Sequence, residues 1–160
     1  MPTLHLGYRP GCIGRIAELH GSYYARTAGF GAAFEAKVAT ELAAFCLRYD
    51  PARDGLWLAE HDGAVHGSIV IDGSHAAEQE GAHLRWFITS DSARGQGLGR
   101  LLLGEALAFC RARGYLQVLL WTFDELHAAR HLYEEHGFRL VETHRGTRWG
   151  KEVNEQLYRL

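Results

Sequence analysis

Between Ala93 and Leu102 the chain reads ARGQGLGRLL, with Gly95, Gly97 and Gly99 at alternate positions between Arg94 and Arg100. Glycine at this density weakens regular structure unless the backbone turns left-handed or another group must approach it closely. A leucine-rich run at helical spacing follows, so the glycines precede a helix N-terminus. The first N–H groups of a helix lack intrahelical partners, and the helix dipole favours negative charge there. Arg94 and Arg100 would add charge-assisted contacts. The chemistry suited to this stretch is the binding of a phosphate by backbone.

Three phosphate-binding patterns compete for it, beside a plain glycine-rich turn with no ligand. A P-loop requires GxxxxGK[ST], and no Lys-Ser or Lys-Thr follows these glycines. A Rossmann turn requires GxGxxG, whereas the glycines here give GxGxG and come late in the chain. The acyl-CoA pyrophosphate loop, Q/R-x-x-G-x-G/A, is satisfied by Arg94, Gly97 and Gly99. Zinc chemistry is the weakest reading: the ten histidines show no HExxH or equivalent spacing.

The 160 residues fit one domain, 1–160, long enough to bury a core. Seventeen basic and nineteen acidic residues give a net charge of −2, without a basic cluster of the kind nucleic acid requires. Cys12, Cys46 and Cys110 are widely spaced in apolar contexts and read as small core residues. No signal-peptide pattern or membrane-length apolar run is present, so a cytoplasmic location is expected.

Positioning the glycine loop requires a strand before it and a helix after it, and the periodicities supply both. TLHLGYR alternates as a strand, with Leu4, Leu6 and Tyr8 on one side. Helices are predicted from Cys12 to about Thr27 and from about Ala32 to Cys46, the second with Phe34, Val38, Leu42 and Phe45 on one stripe. Two strands flank Asp62-Gly63, a hairpin turn signal. DGSHAAEQEG is a polar loop, and AHLRWFIT is the strand that enters the glycine loop. Leu98–Arg113 is a strong helix, with Gly114 as its C-cap. YLQVLLW reads as a buried strand, DELHAARHLYEEHGF as a helix ended by Gly137, and FRLVETHR with EVNEQLYRL as a closing hairpin. The order β-α-α-β-β-β-α-β-α-β-β predicts an α/β (α+β) domain, with a mixed sheet and helices on both faces.

Beyond its loop, the chain carries Ala129, Leu132, Tyr133, Gly137 and Phe138 in the pattern A-x-x-L-Y-x-x-x-G-F. With these two motifs, one on each side of an apolar strand, the sequence resembles the GCN5-related N-acetyltransferase (GNAT) superfamily over nearly its whole length. GYRPGCIGRIAELHGSYYARTAGF and LRWFI are similar to the acetyltransferase domain found fused to MarR-type regulators. The resemblance implies a mostly antiparallel sheet of about seven strands flanked by about four helices, splayed between the fourth and fifth strands. It also implies acetyl-CoA as cosubstrate and direct transfer of the acetyl group to a primary amine.

Residue by residue, the resemblance places Phe87, Ile88 and Thr89 along the pantetheine arm. Arg94, Gly95, Gln96, Gly97, Leu98, Gly99 and Arg100 fall around the pyrophosphate. Tyr133 matches the tyrosine that protonates the leaving thiolate. His83 stands where some members carry a glutamate base, and histidine titrates near neutrality; Glu35, His20 and water are rivals for that role. Leu126 stands where many members carry an asparagine that contacts the cofactor. Acceptor specificity is expected from the first two helices and the last hairpin. His20, Tyr24 and Glu35 are candidates there, with Trp121 and Thr122 on the floor. The acceptor would be a small-molecule or protein amine, with no nucleic acid, membrane or metal involved and a homodimer compatible with the family. The competing reading is an acyl-CoA sensor that keeps the cleft without efficient chemistry.

Overall fold

The computed structural model of the chain describes residues 2–76 and 81–160. Residues 77–80, part of the expected polar loop, lie outside the described residues. Among the described residues, seven strands and four α-helices follow one another as β1 (Thr3–Leu6), α1 (Cys12–Ala28), α2 (Ala32–Leu47), β2 (Gly55–His61), β3 (Ala64–Asp72), β4 (Ala82–Thr89), α3 (Leu98–Arg113), β5 (Val118–Phe123), α4 (His127–Glu135), β6 (Arg139–Gly146) and β7 (Val153–Arg159). They form one sheet in the order β1-β2-β3-β4-β5-β7-β6. All neighbours are antiparallel except β4 and β5.

The period-2 pattern of the central strands sorts the helices. Leu56, Leu58 and Val70 face α1 and α2, where they bury Ile16, Leu42 and Phe45. Their neighbours Trp57, Ala59, Ile69 and Ile71 face the opposite layer, built on Leu102, Leu103, Ala106 and Leu107 of α3. Leu102 and Leu103 are fully buried, which stabilises by roughly 2 kcal/mol per side chain. The tight turn between β2 and β3 has positive φ at both Asp62 and Gly63, as a two-residue hairpin of this hand requires.

Some boundaries differ from the sequence reading. Strand β1 stops at Leu6 because Gly7 turns to φ +105°, and Leu6 and Tyr8 point to solvent instead of sharing a buried side with Leu4. Strand β5 begins only at Val118, leaving Leu116 exposed. The closing hairpin forms, but β7 inserts between β5 and β6, so the exposed β6 becomes the edge.

Candidate active site

The site begins with a failure of pairing. Strands β4 and β5 meet in parallel only at Ala82↔Val118 and His83↔Leu119. Beyond those pairs β5 continues along β7, from Leu120↔Tyr158 to Phe123↔Glu155, while β4 stays with β3. The splay opens a cleft through the sheet, with a volume of about 320 Å³. That volume lies at the lower end of small-ligand sites. Side chains from opposite faces of the sheet therefore meet. Tyr24 and Phe34 arrive from α1 and α2, and Tyr133 arrives from the α3 layer.

Strand β4 is itself irregular. Its register against β3 slips between Ser68 and Val70, and Trp86 has φ +46°. A bulky residue in that region is strained and persists only where its surroundings fix it. Here the Ser68 hydroxyl donates to the Trp86 carbonyl at 2.7 Å. The bulge leaves His83, Arg85 and Trp86 on the cleft; Leu84 and Phe87 also line it and, with Ala82, pack with the α3 layer. Ile88 and Thr89 return to register opposite Ser68 and Gly67.

The glycine loop leads from β4 into α3. Gly97 is the N-cap of α3 at φ +79°, with no side-chain cap and no acidic residue in the first turn. A Cβ placed at Gly95 or Gly97 would meet no atom within 4 Å, whereas one at Gly99 would touch Leu132 and Phe87. The helix start is thus bare, dipole-positive and open on the Gly95–Gly97 side, as an anion-binding turn requires.

The two arginines flanking the loop are already engaged. Arg94 pairs with Asp91, donates to the Thr89 carbonyl at 2.6 Å and lies 4.5 Å from the Tyr23 ring centroid. Arg100 donates to Glu135 of α4 at 2.6 Å, and Gln96 Nε2 donates to the Ser92 carbonyl at 3.1 Å. These contacts fix the loop and leave the uncapped start of α3 open.

Tyr133 lies beneath the splay, against Phe87 and Phe138. Its hydroxyl has no hydrogen-bond partner among the described residues and reaches the cleft. Burial, then the neighbouring phenols of Tyr24 and Tyr158, push its pKa up, so it remains protonated. His83 also lines the cleft, half-buried; burial, followed by Arg85, holds its pKa below the ordinary value. Its neutral form is thereby favoured. His20 is more deeply buried and donates Nδ1–H to the Ile16 carbonyl at 2.8 Å. Burial lowers its pKa to about 4, which makes it the weaker base.

Of the acceptor candidates, His20, Tyr24, Trp121 and Thr122 line the cleft. Glu35 does not: its carboxylate packs beside Gly21 of α1, and Glu41 is the carboxylate of α2 that faces the cleft. The helical period explains this. Phe34, Val38 and Glu41 share a stripe at i, i+4 and i+7, while Glu35 is rotated about 100° from Phe34. Lys37, Arg148 and Trp149 also line the cleft and have no sequence motif to mark them, and Arg85, within LRWFI, joins them there. Leu126, at the asparagine position, is the N-cap of α4 and offers no polar side-chain atom.

Comparison with known proteins agrees with this geometry. A model of the "Acetyltransferase (GNAT) family" matches residues 16–138. The chain is 37% identical over 97 residues to the mycothiol acetyltransferase of Cellulomonas flavigena, covering 56% of this chain and 27% of that protein. It thus spans about a third or less of the mycothiol acetyltransferases it first matches. Among solved structures, the ribosomal-protein-alanine N-acetyltransferase of Brucella melitensis superposes with a TM-score of 0.78 at 16% identity, over 99% of this chain and 98% of that one. The yncA protein of Salmonella typhimurium, solved with its cofactor acetyl-CoA, gives 0.73 at 18% identity, over 100% and 93%. Splayed strands, a bare glycine-led helix start and a family match across most of the molecule agree: the chain belongs to the GNAT acetyltransferase family, whose cosubstrate is acetyl-CoA.

Proposed function

We propose that the protein transfers an acetyl group from acetyl-CoA directly to a primary amine, with both substrates bound at once in the splay of the sheet. One observation carries this reading. The unpaired edge of β4 beyond His83 runs at one end to the open N-terminus of α3 and passes a buried tyrosine whose hydroxyl faces the cleft.

Acetyl-CoA supplies an acyl group activated as a thioester. The first-turn amides of α3 hold the pyrophosphate, and Gly95 and Gly97 keep the approach clear. The backbone of Phe87, Ile88 and Thr89 offers hydrogen bonds to the extended pantetheine arm in place of β5. His83, neutral in the cleft, takes the proton that the amine must lose, directly or through water. Tyr133 donates its hydroxyl hydrogen to the sulfur as the carbon–sulfur bond breaks and negative charge builds there. Its raised pKa suits donation only at that moment, since a phenol this weakly acidic does not ionise beforehand.

The test combines binding with turnover. Acetyl-CoA should raise the melting temperature by mass action, and amines should release free thiol from it. The pH–rate profile should show an acidic limb below the ordinary histidine value, because burial lowers the His83 pKa and the base must be neutral. His83→Gln should abolish that limb. Stabilisation without thiol release to any amine would leave an acyl-CoA-binding module instead of an enzyme.

A further inference from the structure

Two arginines on opposite walls of the cleft are built alike. Arg85 of β4 lies 4.0 Å from the ring centroid of its neighbour Trp86. Arg148, in the loop between β6 and β7, lies 4.0 Å from the ring of Trp121 on β5. Each is held by carboxylates. Arg85 pairs with Glu41, with Asp72 at 3.6 Å. Arg148 Nε donates to the buried Glu155 at 3.0 Å. Both terminal nitrogens of Arg148 are left without a hydrogen-bond partner among the described residues. His83 stands within electrostatic reach of both guanidiniums.

An arginine fixed through one nitrogen and stacked on an indole has lost its rotamer freedom before any ligand arrives. It presents a planar fork of donors matched to a carboxylate. Charge agrees with this geometry: of the three cations lining the cleft among the described residues, Lys37 and Arg85 share Glu41 and Arg85 also has Asp72 at 3.6 Å, whereas the Arg148 side chain meets Glu155 through Nε. The rest of the wall on this side is aromatic, with Phe34, Trp121 and Trp149. An acceptor offering only an ammonium would leave the terminal nitrogens of Arg148 unmatched.

We infer that the acceptor is an amine that also carries a carboxylate, on an apolar or aromatic body, and that Arg148 and Arg85 grip that carboxylate. The inference rests on the acetyltransferase reading for the direction of the chemistry, but not for its test. The carboxylate is held at the arginines, the body lies on the indoles, and the amine is left to face His83 and Tyr133. Arg148 is the specificity-determining group, because its fork is the less satisfied of the two.

The probes are N-acetylphenylalanine and its carboxamide, which share one body and contain no titrating amine. Calorimetry at low salt should show the acid binding roughly ten- to hundred-fold tighter than the neutral amide, the range of a charge-assisted pair in a partly dry site. Arg148→Gln should remove most of that preference and leave the amide unchanged, and Arg148→Lys should retain part of it. Melting curves check that Glu155, which keeps His144 as a partner, still permits folding; if Arg148→Gln does not fold, Arg85→Gln and Arg148→Lys carry the comparison. Equal binding of acid and amide, no binding of either, or a preference that survives both arginine substitutions would overturn the inference. Failure of acetyl-CoA to stabilise the protein would instead overturn the acetyltransferase reading, and the acid–amide comparison would remain readable because it needs no turnover.

Discussion

The two ends of the cleft are made of different material. At the α3 end the surface proposed for acetyl-CoA is backbone: a glycine-led helix start and the unpaired edge of β4. At the α1–α2 end it is side chain: aromatics, one carboxylate and three cations contributed by α2, β4, β5 and the β6–β7 loop. A backbone surface binds any ligand with the right phosphate and amide geometry, so it suits a cosubstrate that never changes. A side-chain surface can be rewritten one residue at a time, so it suits the partner that varies. The difference teaches where substitutions should separate the two functions, and where Tyr133 joins them.

The largest effect is expected at that junction. Tyr133→Phe removes one oxygen from a residue packed among Phe87, Phe138 and Tyr158, so the core should hold. Turnover should fall roughly 10²–10⁴-fold with acetyl-CoA affinity nearly kept, as for loss of a general acid. Steady-state kinetics beside a direct binding titration would show it. Full turnover on a true acceptor, with chemistry rate-limiting, would remove Tyr133 from the mechanism.

The backbone end can be broken with little cost to the fold. Gly97 has a left-handed φ that aspartate tolerates, and open space where the side chain would go. Gly97→Asp would place a carboxylate at an uncapped helix N-terminus, a favourable position that offsets the backbone cost. The same carboxylate would repel the pyrophosphate. Acetyl-CoA affinity should drop on the order of 10–100-fold while the melting temperature shifts by a few degrees at most. Parallel losses in both would mean that the glycines serve the turn alone.

The side-chain end should yield to a smaller change. Gly150 has φ +88°, and a Cβ there would come within 2.6 Å of the Ala33 Cβ, so the β6–β7 loop docks on α2 through this glycine. Gly150→Ala should push Arg148 and Trp149 out of place, raising KM for the acceptor severalfold, as expected of roughly 1 kcal/mol of lost positioning. Acetyl-CoA affinity should be unchanged. A matching loss of acetyl-CoA affinity would show that the two ends are not independent.

How much of this was legible in the sequence follows the same division. The loop was readable because backbone geometry leaves a mark: Gly95 and Gly97 both adopt the positive φ that their residue type suggested. Helix α3 was readable to its boundaries, since Leu98, Leu102, Leu103, Ala106 and Leu107 follow one period and Gly114 caps it. The acceptor wall was not. Glu35 is a sequence candidate as a carboxylate in the first two helices, where acceptor specificity is expected, but helical rotation turns it toward Gly21 and brings Glu41 to the cleft. Trp86 gave no sign of its positive φ, because nothing local demands it; pairing with β3 and the Ser68 hydroxyl impose it.

The sequence by itself determined the elements, their two-sided burial and the phosphate-facing turn, because these depend on local periodicity and on what glycine permits. The tertiary structure alone decided that β7 would insert beside β5, since strand order is settled by pairing between segments far apart in the chain. That insertion turns the β6–β7 loop back over the sheet and sets Arg148 on Trp121. The splay of β4 from β5 then opens a passage where residues from both faces meet. That Tyr24 and Tyr133, from opposite faces of the sheet, line one cleft follows from no period and no spacing; it holds only once two strands part.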